Sequence, residues 1–144
     1  MQIITLLLAA TFVVFAGGTP AIAADTATKN SAAVAQKPVV HQVDAAAAEK
    51  LVNDSKVIVL DVRTPKEFRE GHIQGATNLN FNAKSFDKEL GTLDKSRPYL
   101  VHCAAGGRSS KAVKTMQELG FTNIYHLEPG MKGWEKAGKP TVKE

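Results

Sequence analysis

The chain has 144 residues, a formal net charge of +4 and a single cysteine. The positive charge is scattered, without the dense basic runs and interleaved aromatic residues of a nucleic-acid-binding surface, so nucleic-acid binding is not expected. One cysteine excludes an internal disulfide, and the four histidines are too dispersed to form a zinc site. The charge supports no more than a mild attraction for small anions.

The first residues have the pattern of a secretory signal peptide. An almost wholly apolar stretch (residues 3–15) is followed by two glycines, a proline and the small residues at positions 21–24. An apolar core, a breaker and an A-x-A site predict cleavage after Ala23. An uncleaved N-terminal anchor is the alternative, although the apolar core is shorter than the roughly 20 residues that span a bilayer. The sequence therefore predicts an exported protein, periplasmic or secreted, without stable membrane insertion after cleavage.

A polar segment separates the predicted signal peptide (residues 1–23) from the predicted folded domain (residues 39–144). Residues 24–38, ADTATKNSAAVAQKP, are small and polar and lack apolar periodicity. The Lys-Asn-Ser sequence and the closing proline argue against a helix built on the alanines. This segment is therefore predicted to be a flexible linker.

Strands and helices are predicted to alternate along residues 39–144. VVHQV forms a first strand, and Asp44 caps the alanine-rich helix that follows. The run KVIVLDV is continuously apolar, as in a strand that a parallel sheet buries on both faces. Thr64, Pro65 and Gly71 are suited to the cap, the first position and the end of a short helix. The later elements are a strand in TNLNF, a helix in SFDKELGTL, a strand in RPYLVHC, a helix in SSKAVKTMQELG, a strand in TNIYHL and a helix in MKGWEKAG. This alternation predicts an α/β domain with a mostly parallel sheet.

The cysteine lies where a predicted strand meets a helix, within YLVHCAAGGRSS (residues 99–110). Ligands of open α/β sheets bind at the carboxyl ends of the strands. Gly106 and Gly107 can adopt positive φ angles, so the loop can turn its N–H groups inward as an anion-binding nest. The helix that begins near Ser109 adds its positive end at the same place. The Cys103 thiol is therefore expected to have a lowered pKa and to be a thiolate at neutral pH.

A thiolate in such a loop fits two chemistries. It can attack a phosphoryl group, or it can accept a sulfur atom and carry it as a persulfide. Cysteine phosphatases use the spacing C-x5-R, whereas Cys103 and Arg108 give C-x4-R, one residue shorter. The smaller loop suits the terminal sulfur of a persulfide better than a tetrahedral oxyanion attached to the thiol. A cysteine phosphatase or arsenate reductase is therefore the less favoured alternative.

Three motifs, in the right order, resemble those of the rhodanese family. LDVRTPKEFREGHIQGATNL (residues 60–79) is similar to the upstream motif of the family. CAAGGRS (residues 103–109) is similar to its six-residue active loop with the first helical serine, and GMKGW (residues 130–134) to its closing motif. The resemblance covers about residues 39–144. It implies a flavodoxin-like α/β fold with five core parallel strands, and sulfurtransferase chemistry by a ping-pong route without a metal or organic cofactor.

The resemblance also implies roles for individual residues. Cys103 is the expected catalytic residue: a small anionic donor such as thiosulfate gives it a sulfur atom, and cyanide, a thiol or a protein acceptor removes that atom. Asp61 and Arg63 are expected to support the active loop by hydrogen bonds and ion pairing. The backbone amides of the loop are the expected substrate-binding groups: Ala104, Ala105, Gly106, Gly107 and Arg108.

Two positions depart from the pattern of the family. Ala104 is neutral where better-known thiosulfate-using members have a basic residue directly after the cysteine, which argues against efficient thiosulfate binding. Pro129 and Gly130 stand where the closing motif usually has two glycines, which affects a turn. The modest charge also leaves open a second hypothesis, a sulfur-carrier or redox-sensing module whose Cys103 meets a partner protein.

Three further residues are predicted to be structural. His102 precedes Cys103 on a strand, so its side chain points to the opposite face and is expected to pack rather than to act as a general base. His72 is expected to hold its turn by hydrogen bonding, and Trp134 is predicted to lie in the core.

Overall fold

The computed structural model describes residues 37–144. The predicted signal peptide, and the predicted linker up to residue 36, lie outside the described residues. Within residues 37–144, no helix has the length and apolar character needed to cross a membrane.

The described chain is built on one five-stranded sheet in which every strand pair is parallel. Its strands are β1 (Val39–Val43), β2 (Ile58–Asp61), β3 (Thr77–Asn78), β4 (Pro98–His102) and β5 (Asn123–Leu127). They lie in the order β1-β5-β4-β2-β3, so β4 is the central strand. The predicted α/β domain with a five-stranded, mostly parallel sheet flanked by helices is confirmed.

Among the described residues, four helices connect the strands and a fifth follows β5. They are α1 (Ala45–Asn53), α2 (Pro65–Glu70), α3 (Phe86–Gly91), α4 (Gly107–Glu118) and α5 (Gly130–Lys136). Asp44 caps α1 by accepting the Ala47 N–H at 2.8 Å, and Thr64 forms a capping box with Glu67 at the start of α2. The predicted caps are therefore present. Helix α4 begins before the predicted start at Ser109, because the chain turns at Gly106 and is already helical at Gly107.

Alternate residues of the central strand pack against helices on opposite faces of the sheet. Val101 belongs to a buried cluster that includes Met116 of α4. Leu100 belongs to a second cluster that includes Trp134 of α5, which confirms the predicted core position of the tryptophan. Cys103 lies in the first cluster, so its side chain is on the face that α4 covers.

Candidate active site

Cys103 directly follows β4, at the carboxyl edge of the central strand, and is only 1% exposed. The loop after it turns at Gly106, whose φ is 86°, and enters α4. Burial raises the pKa of the Cys103 thiol, but the Ser109 hydroxyl and the backbone N–H groups of Ser109, Ala105 and Arg108 lower it more. The net result is a pKa below that of an ordinary cysteine, so the site stabilises a nucleophilic thiolate.

The carbonyl groups at the start of this loop are held by the first turn of α5. The Met131 N–H donates to the Cys103 carbonyl at 2.8 Å, and the Lys132 N–H donates to the Ala104 carbonyl at 3.0 Å. The approach needs a glycine, because a Cβ at Gly130 would overlap the carbonyl oxygen of Cys103. The sequence indicated only a turn at this position. The structure shows that the turn sets the orientation of the loop peptides.

Arg108 lies in the first turn of α4 and pairs with a carboxylate of α2. Its Nη1 and Nη2 atoms donate to the two Glu67 oxygens at 2.8 and 2.7 Å. The Arg108 guanidinium, helped by hydrogen bonds from Thr64, lowers the pKa of Glu67 to about 2 against the effect of burial. The charge of Arg108 is thus compensated by Glu67. Nothing in the sequence indicated that Glu67 belongs to the site. Its local role in the capping box of α2 does not predict its contact with Arg108.

Asp61 and Arg63 form a buried ion pair at the end of β2, the strand that lies next to β4. The Arg63 Nη2 atom donates to Asp61 Oδ2 at 2.6 Å and to the Gly71 carbonyl at 2.7 Å. Within residues 37–144, neither side chain hydrogen-bonds to residues 103–108. The pair therefore joins the end of β2 to the end of α2, and the expected hydrogen bonds from this pair to the active loop are not present.

His102 and His72, which the sequence predicted to be structural residues, are both buried. His102 is fully buried on the face opposite to Cys103, with Nε2 3.8 Å from Asp61 Oδ2 and no hydrogen-bond partner on that nitrogen. Burial lowers its pKa, against the charge of Asp61. His72 has Nδ1 2.9 Å from the Phe68 carbonyl oxygen, which is the predicted hydrogen bond within its turn. Among the described residues, no three His, Cys, Asp or Glu side chains group as metal ligands.

Three polar side chains lead away from the thiol, of which Ser109 and His126 are buried and Gln42 is exposed. Ser109 Oγ lies 3.4 Å from Cys103 Sγ and 2.8 Å from His126 Nε2. On the other side of the ring, His126 Nδ1 lies 2.9 Å from Gln42 Oε1. Sequence reasoning missed His126 and Gln42. The available signal was strand alternation, which places His126 on the same face of β5 as Ile124, a residue of the α4-side cluster.

Comparisons with known proteins agree with this architecture. The family model for the Rhodanese-like domain matches residues 44–137. Thiosulfate sulfurtransferase 16, chloroplastic, of Arabidopsis thaliana is 38% identical over 92 residues, covering 57% of this chain and 77% of that protein. The tRNA uridine(34) hydroxylase of Pelagibacter ubique is 33% identical over 97 residues, and the match covers 67% of this chain but 32% of that protein. The crystal structure of a rhodanese-related protein from Thermoplasma volcanium superposes with a TM-score of 0.65 at 32% identity, covering 72% of this chain and 99% of that one. The three sequence motifs, the fold and the family match together place this chain in the rhodanese family.

Proposed function

We propose that this protein is a sulfurtransferase that moves a sulfane sulfur from a donor such as thiosulfate to an acceptor such as cyanide or a thiol. The observation that carries the proposal is the Cys103 thiol at the carboxyl end of the central strand, with its pKa lowered by Ser109 and the loop amides. Membership of a family that includes a protein named thiosulfate sulfurtransferase supports the same chemistry.

The reaction needs one cysteine, and the chain has one. The Cys103 thiolate attacks the outer sulfur of thiosulfate, the Sγ–S bond forms, and sulfite leaves with the electron pair of the broken S–S bond. The terminal sulfur of the resulting persulfide carries the negative charge toward the loop N–H groups. Cyanide then attacks this sulfur, the C–S bond of thiocyanate forms, and the Sγ–S bond breaks to restore the thiolate.

A second candidate is a sulfur-carrier module that receives its sulfur from a partner protein. Two observations favour it: Glu67 compensates the charge of Arg108, and the residue after the cysteine, Ala104, is neutral. Both reduce the attraction of the site for a free divalent anion. Since Cys103 is only 1% exposed, either type of donor must present its sulfur at the end of a slender group.

The experiment that tests the proposal is the intact mass of the reduced protein before thiosulfate, after thiosulfate and after cyanide. We expect a gain of one sulfur atom that disappears with cyanide while thiocyanate is released, and no gain in the matched Cys103→Ser variant. Comparable sulfur gain in Cys103→Ser would contradict the assignment of Cys103. Loading only from a persulfide donor would support the carrier instead, and hydrolysis of an aryl phosphate would support the phosphatase alternative.

Export is also part of the proposal. It is supported by the apolar core, breaker and A-x-A site within residues 1–23. N-terminal sequencing of the full chain, expressed in a bacterium and recovered from the periplasm or medium, is expected to begin at Ala24. Recovery of the intact N-terminus with the membranes would instead support the uncleaved anchor.

A further inference from the structure

The Ser109 hydroxyl is surrounded by more acceptors than it can serve. Its oxygen lies 3.4 Å from Cys103 Sγ, 2.8 Å from His126 Nε2 and 3.0 Å from the Gly106 carbonyl oxygen. Ser109 is fully buried, and a hydroxyl has only one hydrogen to donate. The direction of that one O–H bond therefore depends on which neighbour needs it most.

The Gly106 carbonyl does not need the Ser109 hydrogen. It already accepts the backbone N–H of Ser110 at 2.8 Å and the hydroxyl of Ser110 at 2.9 Å. A carbonyl oxygen has two lone pairs, and these two donors occupy them. The Ser109 hydrogen is thus divided between Cys103 Sγ and His126 Nε2.

Gln42 decides which nitrogen of His126 carries the proton of the neutral ring. The amide oxygen Oε1 can only accept, so its contact with His126 Nδ1 at 2.9 Å requires a hydrogen on Nδ1. Nε2 of the neutral imidazole is then an acceptor, and it faces Ser109. An amide on the far nitrogen fixes the tautomer without adding a negative charge.

The thiol and the thiolate of Cys103 require different directions of the hydrogen bonds that link Cys103, Ser109 and His126. When Cys103 is a thiol, its S–H donates to Ser109 Oγ, and the Ser109 O–H donates to His126 Nε2. When Cys103 is a thiolate, the Ser109 O–H turns to Sγ. Oγ and Nε2 would then face each other at 2.8 Å with lone pairs on both atoms, unless Nε2 has gained a proton.

We propose that His126 is the proton acceptor of the Cys103 thiol, acting through Ser109 and oriented by Gln42. On ionisation, the thiol proton moves to Ser109 Oγ while the hydroxyl proton moves to His126 Nε2. A thiolate and an imidazolium result, and the net charge of the buried site does not change. His126 acts through Ser109, so it is a positioning residue of the site. The inference deepens the proposed function, since it concerns the nucleophile on which sulfur transfer rests.

The charged groups around the chain are consistent with this coupling. Burial lowers the pKa of His126, and the charge of Glu128, just beyond β5, opposes that effect. From α4 the charged group is Arg108, which is paired with Glu67, and from β1 the facing group is the uncharged amide of Gln42. An isolated imidazolium is therefore disfavoured here, whereas one beside the Cys103 thiolate is stabilised.

The first test is the pH profile of Cys103 alkylation by iodoacetamide, a neutral reagent that follows the thiolate fraction. In the full chain, His126→Gln is expected to raise the apparent pKa of Cys103 by about one unit, which makes alkylation about tenfold slower below that pKa. His41→Gln is the matched control, because His41 is an exposed β1 residue that stacks on Tyr125. Its profile is expected to match that of the parent protein.

The same measurement in a Ser109→Ala background separates coupling from packing. With the middle of the chain removed, His126→Gln is expected to have no further effect on the profile, since the two residues act in series. Superimposable profiles for the parent protein and His126→Gln would overturn the inference. An equal slowing by His126→Gln with and without the Ser109 hydroxyl would overturn it as well.

A second test leaves His126 in place and changes the other end of the chain, so it does not depend on how His126→Gln folds. Linkage requires that Cys103→Ser lower the His126 pKa by the same amount, about one unit, in an NMR titration of the imidazole resonances. An unchanged midpoint would refute the coupling. Sulfur loading is measured separately by mass, so loading with superimposable alkylation profiles would defeat this inference alone. Shifted profiles without loading would defeat the sulfurtransferase proposal alone.

Discussion

At position 106 the backbone has a φ of 86°, and Gly120 has the same φ at the end of α4. The two glycines differ in their surroundings. A Cβ at Gly106 would overlap the Glu128 carbonyl oxygen, whereas a Cβ at Gly120 would meet no atom within 4 Å. The pair therefore separates the cost of a left-handed backbone from the need for close approach at the active loop.

We expect Gly120→Ala to lower the free energy of unfolding by about 1 kcal/mol, from backbone strain alone. It should leave Cys103 alkylation unchanged. Gly106→Ala has the same strain and must also displace the loop, so we expect alkylation at pH 7 to slow by about tenfold, equivalent to one pKa unit. Urea denaturation and alkylation rates of both variants check this, and equal alkylation rates in the two would contradict the role given to Gly106.

The sequence was sufficient to locate the nucleophile but not its partners. Cys103, two glycines and Arg108 are local in the chain, so their loop chemistry could be predicted from spacing. Glu67 is 41 positions from Arg108, and Gln42 is 84 positions from His126. Such contacts depend on which strands and helices become neighbours, and a single sequence contains no direct signal for that.

At the scale of elements, the Glu67–Arg108 contact joins two helices that are distant in the chain. Glu67 belongs to the capping box of α2 and Arg108 to the first turn of α4, and both side chains are partly buried. The Glu67–Arg108 pair therefore holds the start of α4, the helix that follows the active loop, against α2. Its strength depends on the charge of Glu67, which makes it sensitive to acid.

We expect Glu67→Gln to lower the free energy of unfolding by about 1–2 kcal/mol at pH 7, allowing for partial solvent exposure. The folded pKa of Glu67 is lowered from 4.5 to about 2. The stabilisation is therefore fully present above pH 4.5, and it decreases as the pH falls toward 2. Urea titrations of the parent protein and the variant should differ at pH 7 and converge near pH 2.

Glu70→Gln is the matched control on the same helix. Glu70 forms an exposed pair with Lys66 at 4.0 Å, and such pairs contribute little. We expect a change within about 0.5 kcal/mol at either pH. A Glu67→Gln effect as small as this, or one that persists at pH 2, would show that the pair with Arg108 is not what stabilises the contact.

Element boundaries were predictable where a cap or a breaker specifies them. Asp44 and Thr64 mark helix starts through side-chain hydrogen bonds that need no tertiary contact. Strands β2 and β3 are shorter than KVIVLDV and TNLNF, the segments that predicted them. They pair with each other at only two positions, Leu60 with Thr77 and Asp61 with Asn78. The number of residues that pair depends on how two strands lie in the sheet, and neither sequence segment alone determines it.

At the scale of the whole molecule, Asp61 and Arg63 form an ion pair that is buried in the core. Asp61 is 0% and Arg63 6% exposed, and together they bind β2 to the end of α2. Removing one partner leaves the other charge without compensation in a dry environment. Removing both leaves only a packing defect.

We expect Arg63→Met to lower the free energy of unfolding by about 3–5 kcal/mol, and Asp61→Asn in the same chain to restore part of that loss. Lys56→Met is the control, because Lys56 pairs with Asp54 on the surface at 2.9 Å. Its effect should stay within about 0.5 kcal/mol. Urea denaturation measures all three variants, and an Arg63→Met change below 1 kcal/mol would contradict this account of the pair.

The alternation of strands and helices made the fold class predictable, because buried parallel strands leave long apolar runs in the sequence. The strand order was not predictable from residues 39–144 by themselves. That order places β1 beside β5 and so brings Gln42 to His126. The contact between Gln42 and His126 was missed in the sequence because it depends on the strand order.

The pairing of the first strand with the last also has a kinetic consequence. Val39 pairs with Asn123 and Val43 with Leu127, so the sheet lacks an inner strand until residues 123–127 have been synthesised. Pairing between segments so far apart in the chain is slow to form. The sheet therefore cannot close until residues 123–127 have left the ribosome. A chain that stays open this long can still be threaded through a translocation pore, which the export proposed above would require.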